Sequence, residues 1–322
     1  MSFRCLTLVS VSIVLQLSCN KTHYTPALAN ALFQSDVQAQ AEDQIRIPSE
    51  IDALFNDINT VLLYKDTVNS GPDTITSSLS SLCGIYAVIK DYADTPNLIT
   101  MQYDGTTCDG KRSRLGTIYI YQTPGSDFSK AGDTIGVTFA NFKTYWLVDN
   151  DSVVLNGTFY LIDSSGGTLA NFNASSTPNP IVQNILGVNA SVQFETLVTA
   201  NWQIWRRRAF SYNGGLVITT TGIDTATGLQ GVSEVGGNRF GNGFITTITT
   251  PLVVSQGCSW RITGGQEQLV NPGGTTVLTL AVDSLGNPTS CPLSGANYYF
   301  KASWTGAGEN PYTAQFPYSS YY

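Results

Sequence analysis

Residues 117–139 read TIYIYQTPGSDFSKAGDTIGVTF and carry the clearest structural signal in the chain. In residues 117–122 and again in 134–139, apolar or aromatic residues alternate with polar or small ones, which is the period-two pattern of a half-buried β-strand. Between the two runs, Pro124-Gly125 is a turn signal. This stretch therefore predicts two neighbouring antiparallel strands.

The same period-two pattern recurs along the chain from about residue 75 onward. The other segments predicted as strands are 85–90, 98–103, 145–148, 153–162, 191–198, 202–210, 244–250, 260–263, 276–282 and 298–304. Turn residues separate nearly all of them, and no helical pattern alternates with them. The sequence therefore predicts an all-β fold, an antiparallel meander that forms a sandwich or a curved, partly barrel-like sheet.

One short N-terminal helix is predicted ahead of the strands, over residues 48–63. Ser49 follows Pro48 and can cap the helix, with Asp52 three residues further on. The apolar face of this helix consists of Ile51, Leu54, Phe55, Ile58 and Leu62. A stripe at this spacing is expected to pack against the β body.

The remaining divisions of the chain follow from composition. Residues 1–19 are expected to be a signal peptide, because Arg4 gives a positive start and residues 5–17 are almost all apolar or small. Residues 20–47 are polar and predict a flexible tether. Residues 75–322 are expected to form a disulfide-stapled β body. A weak internal repeat of cysteines and strands suggests two similar halves in it.

The end of the signal peptide offers two processing sites. Residues 15–19 read LQLSC and resemble a bacterial lipobox, in which the cysteine is acylated, so Cys19 is the predicted lipidation site. Gln16 stands where the common pattern has Leu. The alternative is ordinary cleavage after the ALA of residues 27–29. Lipidation predicts an exported, membrane-anchored lipoprotein in the periplasm or at the cell surface, with membrane contact only through its lipid.

Four cysteines follow the predicted signal peptide, namely Cys83, Cys108, Cys258 and Cys291. In an oxidising compartment they are expected to form disulfides, and four cysteines allow three connectivities. Proximity in sequence favours the local bridges Cys83–Cys108 and Cys258–Cys291, because a hairpin brings such positions together. A Cys₄ zinc site is the alternative, although no C-x-x-C pair is present.

Composition and motifs argue against several function classes. A net charge of −7 argues against binding to nucleic acid and against electrostatic attraction to anionic membranes. The only histidine, His23, lies in the predicted tether, so catalytic triads and His-based metal sites are not expected in the β body. No G-x-S-x-G, H-E-x-x-H or Walker motif occurs. No cofactor and no metal are predicted.

A paired-carboxylate hydrolase is the enzyme class that the sequence argues against least. Such an enzyme needs only two carboxyl groups about 5–10 Å apart. The candidate residues are Asp104, Asp109, Glu195 and Glu234. Scattered acids on a β surface are more often solvated or salt-bridged, so no enzyme is predicted. A carbohydrate-active hydrolase is kept as the alternative.

The segment WQIWRRR, which begins at Trp202, is the most distinctive local cluster. In a strand, Arg206 and Arg208 face the same side as Trp202. Trp205 and Arg207 face the opposite side. The functional interpretation is a ligand or glycan platform of Trp202, Trp205 and Arg207, since aromatic faces stack on sugars and guanidinium groups bind acidic groups. The packing interpretation is a set of cross-strand cation–π contacts and salt bridges that hold the register.

Four stretches of the chain carry a family resemblance. They are GKRSRLGTIYIY (110–121), GDTIGVTF (132–139), NWQIWRRRAF (201–210) and GNGFITTITTPL (241–252). They resemble a family of uncharacterised secreted lipoproteins of Bacteroidota, over roughly residues 80–305. That family brings no known activity, so the resemblance implies an envelope location rather than a reaction.

These features together predict an exported, lipid-anchored cell-envelope protein. Its expected role is non-enzymatic binding or scaffolding, with an envelope glycan or an envelope protein as the partner. Nucleic acid is not an expected partner.

Overall fold

The period-two segments form a single sheet in a computed structural model of the chain. The structure describes residues 26–64, 84–91, 97–108, 110–124, 128–147, 150–169, 180–225, 228–289, 298–306 and 311–317, with Leu82, Ser126 and Cys291. In the helix, side chains are described from Ser35 to Leu63. The predicted signal peptide and Cys19 lie outside these residues.

The sheet has 15 strands, and all their pairings are antiparallel. The strands are β1 (Ile85–Asp91), β2 (Asn97–Cys108), β3 (Arg112–Gln122), β4 (Thr134–Trp146), β5 (Asp151–Asp163), β6 (Ile181–Gly187), β7 (Ser191–Phe194), β8 (Thr199–Tyr212), β9 (Leu216–Gly222), β10 (Val232–Gly237), β11 (Gly243–Ser255), β12 (Arg261–Asn271), β13 (Gly274–Val282), β14 (Tyr299–Thr305) and β15 (Tyr312–Pro317). This confirms the predicted antiparallel meander.

The order of the strands in the sheet follows the chain almost throughout. Strands β1 to β6 are consecutive neighbours, followed by β8 and then β10 to β15. The short strand β7 pairs with β5 and β8, and β9 pairs with β8 and β11. The two copies of the weak internal repeat of cysteines and strands correspond to β1–β3 and β12–β14. They lie towards opposite ends of this one sheet and contribute to one hydrophobic core.

Strands β3 and β4 show how alternation produces the core. Ile118 pairs with Phe139 and Ile120 with Val137, and all four side chains are buried. The residues between them point to the outer face and are at least partly exposed. Residues 117–122 and 134–139 therefore lie in the predicted pair of neighbouring antiparallel strands.

Some strand predictions were wrong in extent, and polar inward-facing residues explain most of the omissions. A separate strand at 145–148 was predicted, but β4 continues to Trp146 through a bulge between Phe139 and Phe142. Strands β6, β9 and β10 were not predicted. In β10 the buried side chains include Ser233 and Glu234, so an apolar alternation is missing there.

The helix α1 (Pro26–Tyr64) is much longer than predicted. Residues 26–47 are helical, so the prediction of a flexible tether over 20–47 is wrong for most of its length. Pro48 lies inside the helix rather than at its start. This segment has no single apolar stripe because polar side chains such as Gln44 and Arg46 are buried as well. No helix in the described part of the chain is long and apolar enough to cross a membrane.

The sheet curves around α1, which is why the helix is buried on nearly every side between residues 40 and 55. Side chains of β3, β5, β8, β10 and β12 all form hydrogen bonds or ion pairs with it. Apolar contacts surround the same helix. Phe55, for example, packs against Phe139 and Phe159 with ring centroids 6.3 Å and 6.0 Å away.

A disulfide joins Cys258 and Cys291, whose Cα atoms are 5.6 Å apart. It confirms the second predicted bridge. The bond links a 3₁₀ turn at Gln256–Cys258, just before β12, to the segment that follows β13. Cys83 and the side chain of Cys108 lie outside the described residues, so the first predicted bridge stays a prediction.

Candidate functional site

Strand β8 sends alternate side chains into two different environments. The side chains of Arg206, Arg208 and Trp202 point inward. The two arginines are each 2% exposed, and Trp202 is 1% exposed. Trp205 and Arg207 point outward, where Arg207 is exposed and Trp205 is half-buried. This division is the one that the period of the strand predicts.

Trp202 is therefore not part of a surface. Its ring packs in the core against Phe194 and Phe244, with centroids 6.3 Å and 4.6 Å away. The prediction that Trp202 belongs to the three-residue platform is therefore wrong. Residues an odd number of positions apart, such as Trp202 and Trp205, lie on opposite faces of a strand. Trp205 and Arg207 remain on the outer face together.

The inward arginines belong to a buried charge network. The Nε of Arg206 donates to Glu234 Oε1 at 2.8 Å, and its Nη1 donates to Asp52 Oδ2 at 3.1 Å. Glu267 Oε1 lies 3.4 Å from Nη2 of the same guanidinium. Burial, aided by the negative charge of Glu234, raises the pKa of Glu267 to about 8. Glu267 is therefore mostly protonated at neutral pH, which limits the net negative charge around Arg206.

A second buried network joins the middle of α1 to β3. Glu50 accepts hydrogen bonds from Arg114 Nε at 2.6 Å and from Arg112 Nη1 at 2.9 Å. Arg114 Nη1 also donates to Asp57 Oδ2 at 2.7 Å. Burial opposes ionisation of Glu50, but the two guanidinium groups outweigh it and hold the pKa of Glu50 below its ordinary value.

A third network lies nearer the start of the helix. Arg239 donates to Asp43 at 2.6 Å and to Asp151 at 2.8 Å, and Arg46 donates to Asp151 at 2.9 Å. Burial raises the pKa of Asp43 to about 6 against the attraction of Arg239. These three networks use charged groups to fix α1 inside the sheet. The charged groups of each network pair with one another, so the networks have a structural role.

The three predicted carboxylate candidates that the structure describes lie in different environments. Asp104 is exposed on β2, and Glu195 lies in an exposed turn after β7. Glu234 is completely buried beside Arg206, and Asp109 lies outside the described residues. The described residues also contain no group of three or more His, Cys, Asp or Glu side chains that could hold a metal ion.

The outer face of the sheet carries a different feature, a line of side chains in direct cross-strand register. Tyr121 on β3 pairs with Gly136 on β4, and Gly136 pairs with Tyr160 on β5. Tyr160 pairs with Leu186 on β6, which pairs with Trp205 on β8. These five residues are called the aromatic row. Tyr121 is 37% exposed and Tyr160 is 40% exposed.

The rings in the aromatic row occur on every second strand. Because neighbouring strands lie about 4.8 Å apart, the backbone positions of Tyr121, Tyr160 and Trp205 are spaced about 10 Å apart across the sheet. Gly136 leaves the floor between the two tyrosines open. A Cβ at Gly136 would lie 3.7 Å from the Cβ of Tyr121, in ordinary contact.

Hydrogen-bonding side chains flank the aromatic row on both sides. One flank consists of Thr100, Tyr119, Thr138 and Thr158, which are also in cross-strand register. The other flank consists of Thr134, Ile162, Asn184, Arg207 and Thr221. Arg207 is the one charged residue among these positions. The surface thus combines aromatic rings with hydroxyl and amide groups and carries little charge.

This combination suits a sugar chemically. A pyranose ring has apolar C–H faces, which stack on aromatic rings, and hydroxyl edges, which hydrogen-bond to threonine and amide side chains. An extended chain of sugars can place successive rings along a straight row of aromatic side chains. The aromatic row is accordingly the candidate functional site.

Comparison of the chain with protein-family models, with curated proteins and with solved structures gave no match. Sequence reasoning found Trp205 and Arg207 but missed Tyr121 and Tyr160. Both tyrosines stand at outward positions of strands that were predicted, yet only the register shows that they align with Trp205.

Proposed function

We propose that this protein is an exported, lipid-anchored envelope protein that binds a neutral glycan chain on its outer sheet face, without catalysing a reaction. The alignment of Tyr121, Tyr160 and Trp205 on alternate strands is the observation that carries the proposal. A surface of this kind provides repeated stacking positions at one spacing, which a polymer of sugars can occupy all at once. Simultaneous occupation of several weak subsites raises the total affinity.

The envelope location is supported by the N-terminal sequence and by the cysteines. A disulfide such as Cys258–Cys291 is typical of proteins in oxidising compartments. Mass spectrometry of the intact protein from its native host tests the anchor. A diacylglycerol on Cys19 as the first residue is expected, whereas a chain that starts after residue 29 without lipid would contradict it.

Glycan binding is tested by affinity gel electrophoresis against a panel of neutral and acidic polysaccharides. Slower migration is expected in gels with a neutral β-linked polysaccharide. Replacing Trp205 or Tyr160 with alanine is expected to weaken that binding at least tenfold, which corresponds to about 1.4 kcal/mol per site. Tyr86→Ala is the matched control, because Tyr86 is 51% exposed but lies on β1, outside the aromatic row.

A steric variant tests the same surface without removing a ring. Gly136→Leu places a side chain between Tyr121 and Tyr160, at a position where ordinary backbone angles allow any residue. It is expected to block binding while the protein stays folded. The proposal is wrong if neutral polysaccharides do not bind, or if Trp205→Ala and Gly136→Leu both leave binding unchanged.

A further inference from the structure

A cavity of ≈ 490 Å³ lies beside the C-terminal half of α1, away from the aromatic row. It is called the side cavity here. Its volume is in the range of small-molecule sites, about 300–1,000 Å³. One wall is the helix and the other is formed by β8, β9 and β11, so the cavity separates two surfaces that pack directly against each other elsewhere in the protein.

Most of the sheet wall of the side cavity is apolar, although Arg208 and Thr220 also border the cavity there. Phe210 and Ile218 belong to a small hydrophobic cluster distinct from the main core, and Leu216 and Val254 pack against it. Val254 packs against the main core as well. The main cluster contains the apolar residues of α1, but this smaller one contains none of them. Covering such an apolar wall with the apolar part of a ligand removes it from water and is therefore favourable.

The charged groups that border the side cavity, two on the helix and two on strands, are balanced. Asp52 and Asp57 border the cavity together with Arg112 and Arg208. Asp57 accepts from Arg114 at 2.7 Å, and the other three groups belong to the buried networks described above. An ionised ligand would add an uncompensated charge to this balanced set and would lose its own hydration. Burial of an unpaired charge is costly, so the cavity favours a ligand without net charge.

The helix wall offers hydrogen bonds that do not require a charged ligand. Asn56, Asn59 and Thr60 border the cavity on the helix side. Asn56 Oδ1 already accepts from Arg208 at 2.7 Å, Asn59 exchanges two hydrogen bonds with Gln183, and Thr60 Oγ1 donates to the backbone oxygen of Asn56. Thr60 Oγ1 has used its one proton but can still accept a hydrogen bond from a hydroxyl or amide group of a ligand. The polar edge of the ligand is therefore expected to face α1.

Trp260 also borders the side cavity and is 39% exposed. It and Ser259 both have positive φ angles, 61° and 58°, which side-chain-bearing residues rarely adopt. The preceding Cys258 is fixed by the disulfide to Cys291. Backbone in sparsely populated regions is concentrated at ligand-binding positions, where surrounding structure holds it. The cross-linked turn thus holds an aromatic ring beside the cavity.

We infer that the side cavity binds a neutral amphiphile, a small molecule with a hydroxyl- or amide-bearing edge and an apolar body. The polar edge lies against Asn56 and Thr60 of α1. The apolar body lies against the strand wall, with Trp260 beside it. This site is separate from the aromatic row and does not depend on glycan binding.

Isothermal titration calorimetry on the full chain tests this inference with three probes of equal chain length below their micelle concentrations. The probes are 1-octanoylglycerol, which is neutral, octyl sulfate, which is anionic, and octyltrimethylammonium, which is cationic. The neutral probe is expected to bind with a Kd at least tenfold lower than either ionic probe. Equal affinities for the three, or no binding of 1-octanoylglycerol, would overturn the inference.

Two Leu→Trp variants locate the binding. Leu216→Trp fills the side cavity and is expected to weaken 1-octanoylglycerol binding at least tenfold. Leu285→Trp is the control, because Leu285 is 78% exposed in a loop outside the cavity. Thr60→Val, which removes one hydroxyl from the helix wall, is expected to weaken the neutral probe about fivefold. Binding that survives Leu216→Trp unchanged would place the probe elsewhere and overturn the assignment.

Discussion

The two faces of strand β8 show how one local sequence can serve structure and recognition at once. Arg206 and Arg207 are neighbours in the chain, yet Arg206 is buried among three carboxyl groups and Arg207 is exposed beside the aromatic row. Trp202 and Trp205 divide in the same way. The inward residues hold the helix inside the sheet, and the outward residues form the candidate glycan surface. Variants at these positions should therefore separate stability from binding.

The largest effect is expected at Arg206. Arg206→Ala leaves Glu234, Glu267 and Asp52 buried without their shared guanidinium, and breaking a buried ion pair typically costs about 3–5 kcal/mol. The free energy of unfolding, measured by urea denaturation, should fall by that amount or the protein should fail to fold. A decrease below about 1 kcal/mol would show that the network does not hold α1 in place.

The next effect concerns pH and the carboxyl group of Glu267. Its pKa is raised in the folded protein to about 8, from an ordinary 4.5, so the folded state binds a proton that the unfolded state releases. Stability from this group is complete below pH 4.5 and is lost as the pH rises through 8. The free energy of unfolding should fall by up to about 1.4 kcal/mol per pH unit on the way.

Glu267→Gln keeps the hydrogen-bonding shape of the protonated group but cannot ionise. Between pH 6 and pH 9 the variant should gain about 3 kcal/mol of stability relative to the unmodified protein. Asp104→Asn is the control, since hydrogen bonds from Thr106 lower the pKa of Asp104 and keep it ionised throughout this range. A difference between Glu267→Gln and the unmodified protein that stays constant with pH would contradict the assigned pKa.

Sequence reasoning predicted the sheet because alternation marks which side chains face inward. It placed the inward and outward residues of β8 correctly for the same reason. It failed at residues 26–47, because a helix surrounded by a sheet needs no amphipathic stripe. There, polar groups such as Asp43 and Gln44 find partners far along the chain, Arg239 in the turn after β10 and Glu234 on β10. Those partners are known only once the strands are in register.

The aromatic row could not be predicted from the sequence, for a related reason. Tyr121 and Tyr160 lie on strands that were predicted, but a shift of one residue in any pairing would move a ring to the other face. The bulges in β3–β4 and β4–β5 change the register along the strands. No local pattern indicates where such shifts fall, so the alignment with Trp205 could not be predicted.

A smaller effect on stability is expected at Trp205. Trp205→Ala removes a half-buried ring from the outer face, and a surface change of this kind should lower the free energy of unfolding by about 1 kcal/mol or less. Trp202→Ala, its counterpart in the core, should lower it by about 3–5 kcal/mol. The same urea titrations measure both. Equal losses for the two variants would mean that Trp205 is a packing residue.

The smallest effect is expected at Arg207. Arg207→Ala should change the free energy of unfolding by no more than about 0.5 kcal/mol, because the side chain is exposed and its cross-strand neighbours, Asn184 and Thr221, are uncharged. Binding of a neutral polysaccharide should weaken less than in Trp205→Ala, since a guanidinium adds hydrogen bonds at the edge of the row but no stacking surface within it. A stronger loss of binding in Arg207→Ala than in Trp205→Ala would instead indicate an acidic ligand, because a cation contributes most where it meets a carboxylate or sulfate. The pair of variants therefore identifies the charge of the glycan as well as its position.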